Sequence, residues 1–187
     1  TNADSHTFEP ESLEELAEAF RFAVNNGRKI LLRGAGRSYG DAAILAEEIA
    51  IDLCKLNSCQ IDPESGIATV GCGATIGDLW RVGLPLGYWP PVVPGTMFPT
   101  IGGALAMNIH GKNAFSAGPI GDHVQEITVM CADLTLRKLS QADPGFHAVI
   151  SSAGLMACIV EAKIKLKRVS SGFLDVGAIV CKSWDEQ

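Results

Sequence analysis

The run Arg33-Gly34-Ala35-Gly36-Arg37-Ser38-Tyr39-Gly40-Asp41 gathers the residue types that hold a phosphate. Gly34 and Gly36 permit positive φ and close backbone approach, so successive N–H groups can converge on one anion. Arg33 and Arg37 add positive charge, Ser38 a hydroxyl donor, and Tyr39 a phenol. An ordinary strand-end turn carrying two exposed arginines has the same composition, and this run alone leaves both readings open.

Two further stretches have chemical potential. Pro94-Gly95-Thr96 and Thr100-Ile101-Gly102-Gly103-Ala104-Leu105-Ala106 are again suited to close backbone approach, and they lead into Asn108-Ile109-His110-Gly111-Lys112-Asn113. An imidazole and an ammonium this near each other can orient a substrate and tune a hydride acceptor. Ser151-Ser152-Ala153-Gly154 is a third small-residue turn, which reads equally well as a plain loop.

Other chemistries fit less well. The first loop is a near match to the dinucleotide fingerprint GxGxxG, with Asp52 as the ribose-binding acid. Tyr39 stands where the third glycine belongs, a helix precedes the strand, and hairpins follow in place of βαβ units. There is no GxxxxGK[ST] loop for a P-loop ATPase. The six cysteines are scattered without a CxxC pair, against the tight ligand spacing of a zinc site. A formal charge of −6 gives no field to attract nucleic acid, so a dianionic cofactor must be held by local donors. No run of about 18 apolar residues spans a membrane, and no secretory signal is visible. Cysteines lying in apolar runs suit a reducing compartment. The chain reads as soluble and cytoplasmic, or peripheral to a membrane in the full-length protein.

The elements that must position these loops follow from periodicity. Ser12 and Glu15 form a capping-box signal, and Leu13, Leu16, Ala17, Phe20, Ala23 and Val24 keep helical spacing up to a stop at Gly27. Segments 29–32 and 49–53 are short apolar strands, which makes the start a small parallel-type α/β unit. Segments 59–62 and 67–70 flank a Pro-to-Gly turn and predict a hairpin. Thr75 and Asp78 open a helix through Val82, and residues 101–106 form a small-residue helix or turn. Segments 124–132 and 135–139 predict a second hairpin, Asp143-Pro144 starts a short helix, and 158–169 is one long alternating strand. The order is α+β: a small N-terminal parallel-type unit (residues 1–56) and a larger mixed or antiparallel sheet with helices (residues 57–168). The chain has no initiator Met, and the apolar run 173–181 reads as a strand deprived of partners, so both ends look like cut points.

Taken together, GAGRSYGD, PGT, TIGGALAMNIHGKN and the small-residue turn before the final strand resemble the PCMH-type FAD-binding domain of the vanillyl-alcohol oxidase and p-cresol methylhydroxylase superfamily. Within it, the likeness is to decaprenylphosphoryl-ribose oxidase and the aldonolactone oxidases. The resemblance implies FAD bound between two α+β subdomains. Residues Arg33, Gly34, Ala35, Gly36, Arg37, Ser38 and Tyr39 would hold the pyrophosphate. Pro94, Gly95, Thr96, Thr100, Gly102, Gly103, Ala106, Ile109 and Gly111 would line the flavin and ribityl chain, with Ala153 and Ile159 on the adenine side. His110 would lie near the isoalloxazine, and Tyr39, His110 and Lys112 would reach the reacting centre. Aldonolactone oxidases commonly carry a flavin-linked histidine where this chain has Arg37, so the resemblance implies non-covalent FAD. It also implies oxidation of an alcohol carbon of a sugar or sugar-like substrate by hydride transfer, followed by transfer of electrons to oxygen, a quinone or another protein. Residues 169–187 would begin a truncated substrate-binding domain. A flavin-binding electron-transfer subunit without its own substrate is the alternative.

Overall fold

The computed structural model describes residues 5–186. In chain order, its elements are β1 (His6–Phe8), α1 (Leu13–Asn25), β2 (Ile30–Arg33), β3 (Ile49–Asp52), β4 (Cys59–Ile61), β5 (Ile67–Gly71), α2 (Ile76–Gly83), β6 (Tyr88–Trp89) and α3 (Ile101–Ala106). They continue with α4 (Ala114–Ala117), β7 (Val124–Met130), β8 (Leu136–Ser140), α5 (Pro144–Val149), β9 (Cys158–Lys165) and β10 (Lys167–Arg168).

The N-terminal unit is a parallel sheet in the order β1-β3-β2, with β1 an addition to the two strands read from the sequence. Helix α1 buries Leu16, Ala17, Ala19, Phe20 and Ala23, while Val24 is exposed. Its cap is half of the expected box. Ser12 Oγ accepts the Glu15 N–H at 3.2 Å, but the Glu15 carboxylate takes the N–H of Glu11 at 2.8 Å in place of that of Ser12. Helix α2 has the complete box: Thr75 Oγ1 accepts from Asp78 N, and the Asp78 carboxylate accepts from Thr75 N.

The larger sheet is antiparallel throughout, in the order β4-β5-β9-β7-β8. One hydrophobic cluster joins it to α2, α3 and α5. A second joins Cys72, Met130, Cys158 and Val160 to α1 and β3 of the small unit. Strand β9 serves both because of a register shift. Val129 pairs with Ile159 and Thr128 with Glu161, which leaves Val160 without an opposite number on β7. Such a bulge changes which face the following side chains take. Cys158 and Val160 therefore meet the small unit, whereas Ile159, Ala162 and Ile164 join the main core.

Two sequence expectations need correction. The strand expected over 158–169 ends at Lys165, and β10 turns away to pair antiparallel with β6. The apolar run 173–181 is not a strand; Phe173 is 92% exposed, and no neighbouring strand among the described residues supplies a ladder for it.

Candidate functional site

Parallel strands deliver the loops at their carboxyl ends to one edge, where open α/β sheets bind ligands. Here the loop after β2 meets the start of α3. Gly34 has no room for a side chain, because a Cβ would run into the hydroxyl of Thr100. Thr100 is buried at 3% exposure and caps α3, its Oγ1 accepting the Gly103 N–H at 3.4 Å. On the other side of α3, Gly102 lies against Cys72, where a Cβ would come within 2.9 Å of the Cys72 Cβ. The Gly102 N–H is committed to the Cys72 carbonyl at 2.8 Å and that of Ile101 to Ala74 at 2.7 Å. Gly102 thus contributes space and no free donor.

These approaches frame a slot lined by Leu32, Arg33, Gly34, Leu53, Cys72, Thr100, Gly102, Gly103, Ala106, Ala153, Gly154, Ala157 and Ile159. Its volume is about 60 Å³ and it is partly open to solvent; this is well below the roughly 300–1,000 Å³ of a complete ligand pocket, so it has room for one segment of an elongated ligand. Burial pushes the Cys72 thiol up to about 12, which keeps this wall neutral and unreactive.

The two loops outside the slot carry free donors. Among the described residues, no backbone N–H from Gly34 to Ala43 donates to a protein acceptor, and neither does any from Gly95 to Phe98. Unpaired amides in two glycine-bearing loops beside a slot are the arrangement an anion requires. Arg33 stands at the root of the first loop, 3.3 Å from the Asp52 carboxylate, which also accepts the Cys54 N–H at 2.9 Å. Asp52 is thereby occupied in tying β2 to β3, which speaks against its use as a ribose-binding acid. Arg37 lies over the ring of Phe98, 4.9 Å from its centroid.

Of the residues selected from sequence, Arg33, Gly34, Thr100, Gly102, Gly103, Ala106, Ala153 and Ile159 meet at the slot. Ala35 to Tyr39 and Pro94 to Thr96 lie on the two loops outside it, with Tyr39 at 99% exposure. Ile109 packs against the main core and exchanges backbone hydrogen bonds with Ala104 and Ile120. His110 and Lys112 do not line the slot; His110 is exposed. Their segment is held against the second loop, since Gly111 abuts the Val93 carbonyl and Asn113 Nδ2 donates to Pro91 O at 3.0 Å. Leu32, Leu53, Cys72 and Ala157 were missed by the sequence reading, and Gly154 was read only as part of the third turn. Leu53 had a usable signal, its place just past the end of a buried strand; Cys72 and Ala157 had none.

The third turn is strained. Ser151, Ala153 and Gly154 have φ of 70°, 54° and 79°, so two side-chain-bearing residues stand in the left-handed region where glycine is favoured. Ala153→Gly is expected to raise stability by about 1 kcal/mol, relief of strain outweighing the added chain entropy. Urea unfolding checks this, and a loss of stability would contradict the strain.

A sequence profile of a family described as an FAD binding domain matches residues 5–140. The chain belongs to this family of PCMH-type FAD-binding domains. This FAD-binding domain is 36% identical over 170 residues to decaprenylphosphoryl-beta-D-ribose oxidase of Mycolicibacterium smegmatis, covering 89% of this chain and 37% of that protein. It is 27% identical over 165 residues to D-lactate dehydrogenase of Archaeoglobus fulgidus, covering 84% of this chain and 37% of the relative. Among solved structures, 6-hydroxy-D-nicotine oxidase from Arthrobacter nicotinovorans superposes with a TM-score of 0.78 at 22% identity, over 87% of this chain and 36% of that one. The chain therefore spans little more than a third of the length of these relatives. No helix among the described residues is long and apolar enough to cross a membrane.

Proposed function

We propose that this domain serves an FAD-dependent oxidoreductase that oxidises an alcohol carbon of a sugar or sugar-like substrate, with the cofactor held non-covalently. The observation that carries the reading is the meeting of two loops of unpaired amides at a slot whose walls are glycines in forced contact. The names of the two relatives, a ribose oxidase and a lactate dehydrogenase, both specify molecules that carry an oxidisable carbinol.

Residues 34–39 would hold the pyrophosphate through their N–H groups, with Arg33 supplying charge at the loop's root. Pro94, Gly95 and Thr96 would lie along the flavin side, and Ala153 and Ile159 would close the slot at the other end. FAD, when bound, supplies the hydride acceptor. Tyr39 and Lys112 would position the substrate hydroxyl, and His110 would orient the flavin ring or assist proton transfer. Arg37, a guanidinium that is always charged, offers no nucleophile for a covalent flavin link. Residues 1–56 and 57–168 would be the two subdomains, and the exposed run beyond 169 would enter the substrate-binding domain. Electrons would pass on to oxygen, a quinone or a protein acceptor.

The test is anaerobic bleaching of flavin in the full-length protein by a panel of sugars, sugar phosphates and 2-hydroxy acids. Bleaching by a sugar supports the reading. Bleaching by 2-hydroxy acids alone changes the substrate class, and bleaching by none while a reduced partner protein delivers electrons makes this an electron-transfer module.

A further inference from the structure

The first loop is held to the rest of the chain by very little. Its backbone N–H groups from Gly34 to Ala43 reach no protein acceptor among the described residues. Beyond the Arg33–Asp52 pair at its root, the contact that fixes its middle is the guanidinium of Arg37 on the face of Phe98. Phe98 stands on a rigid post. The carbonyls on either side of it, Met97 O and Pro99 O, accept the N–H groups of Gly77 and Ile76 at 2.9 and 3.0 Å. Those donors open α2, which the Thr75–Asp78 box holds in place.

We propose that Arg37 and Phe98 form a latch that fixes the first loop over the second and so presents its amides to the phosphates of FAD. This rests on the FAD-binding reading and adds a role for two side chains: both are positioning residues, acting through the loop while the Arg37 N–H stays available to the cofactor. A cation over an aromatic face is attracted to the ring's electron density. Holding the loop in its binding arrangement beforehand removes part of the ordering cost that FAD would otherwise meet.

The full-length apoprotein is titrated with FAD by flavin fluorescence, using wild type, Arg37→Met, Phe98→Leu, the double variant and Phe98→Tyr. Each of Arg37→Met and Phe98→Leu is expected to weaken binding roughly two- to fivefold. The double variant is expected to be no weaker than the single ones, and Phe98→Tyr, which keeps the ring face, to bind like wild type. Multiplied losses in the double variant overturn the latch, as does a Phe98→Tyr protein as weak as Phe98→Leu. A direct Arg37–phosphate contact without the latch shows as an Arg37→Met loss beyond tenfold that persists undiminished in the Phe98→Leu background. A wild-type protein that takes up no FAD removes the parent reading itself, and that result is recognised before any variant is compared.

Discussion

Gly34→Val in the full-length protein is expected to weaken FAD binding roughly 10- to 100-fold. The side chain has nowhere to go: its Cβ meets the Thr100 hydroxyl, and Thr100 is buried and caps α3. Forcing the two apart shifts the start of α3, which carries Gly102, Gly103 and Ala106 along one wall of the slot. Two controls locate the cause. Gly145→Ala lies in α5, where a Cβ would find only ordinary contact with Leu139, and it should leave FAD binding unchanged. At Gly95 a Cβ would meet nothing within 4 Å, so a loss of FAD in Gly95→Ala reports close approach by the cofactor itself. Equilibrium titration of desalted apoprotein reads all three. A Gly34→Val protein with wild-type affinity would separate the slot from the cofactor.

His110→Ala is expected to slow flavin reduction by substrate roughly 100-fold, the lower end of what a positioned acid–base group contributes, while FAD content stays at the wild-type level. The separation of effects follows from placement. The His110 side chain is exposed and makes no hydrogen bond that supports the fold among the described residues, yet Gly111 and Asn113 pin its segment to the second loop. Tyr39→Phe tests the neighbouring role by removing a single hydroxyl. Stopped-flow bleaching under anaerobic conditions measures the rates. Wild-type rates in both variants would take these residues out of the reacting site, and loss of FAD from His110→Ala would assign the imidazole to binding.

Much of the fold was legible because it is locally encoded. The two hairpins and the helix opened by Thr75 and Asp78 each follow from residues a few positions apart. What escaped depends on distant pairing. Strand β1 is three residues long and exists because β3 offers it an edge. β9 stops early because β10 finds β6. The unpaired Val160, which lets one strand feed two cores, has no signature in an alternating run. The run 173–181 has strand-like composition and no partner to make it a strand among the described residues. The same division holds at the site. The glycines were found because a forced close approach selects for them, whereas Cys72 and Ala157 reach the slot through the packing of two sheets. Arg37 was read as a charge for phosphate, and its position over Phe98 arises between loops far apart in the chain.

The most direct test of the central claim is the visible absorption spectrum of the full-length protein after incubation with FAD, desalting and acid precipitation. A flavin spectrum that survives desalting and a yellow supernatant after acid are expected, since the proposed attachment of FAD involves no covalent bond. A protein that stays colourless contradicts FAD binding at this slot, and colour that remains in the acid precipitate contradicts the non-covalent attachment.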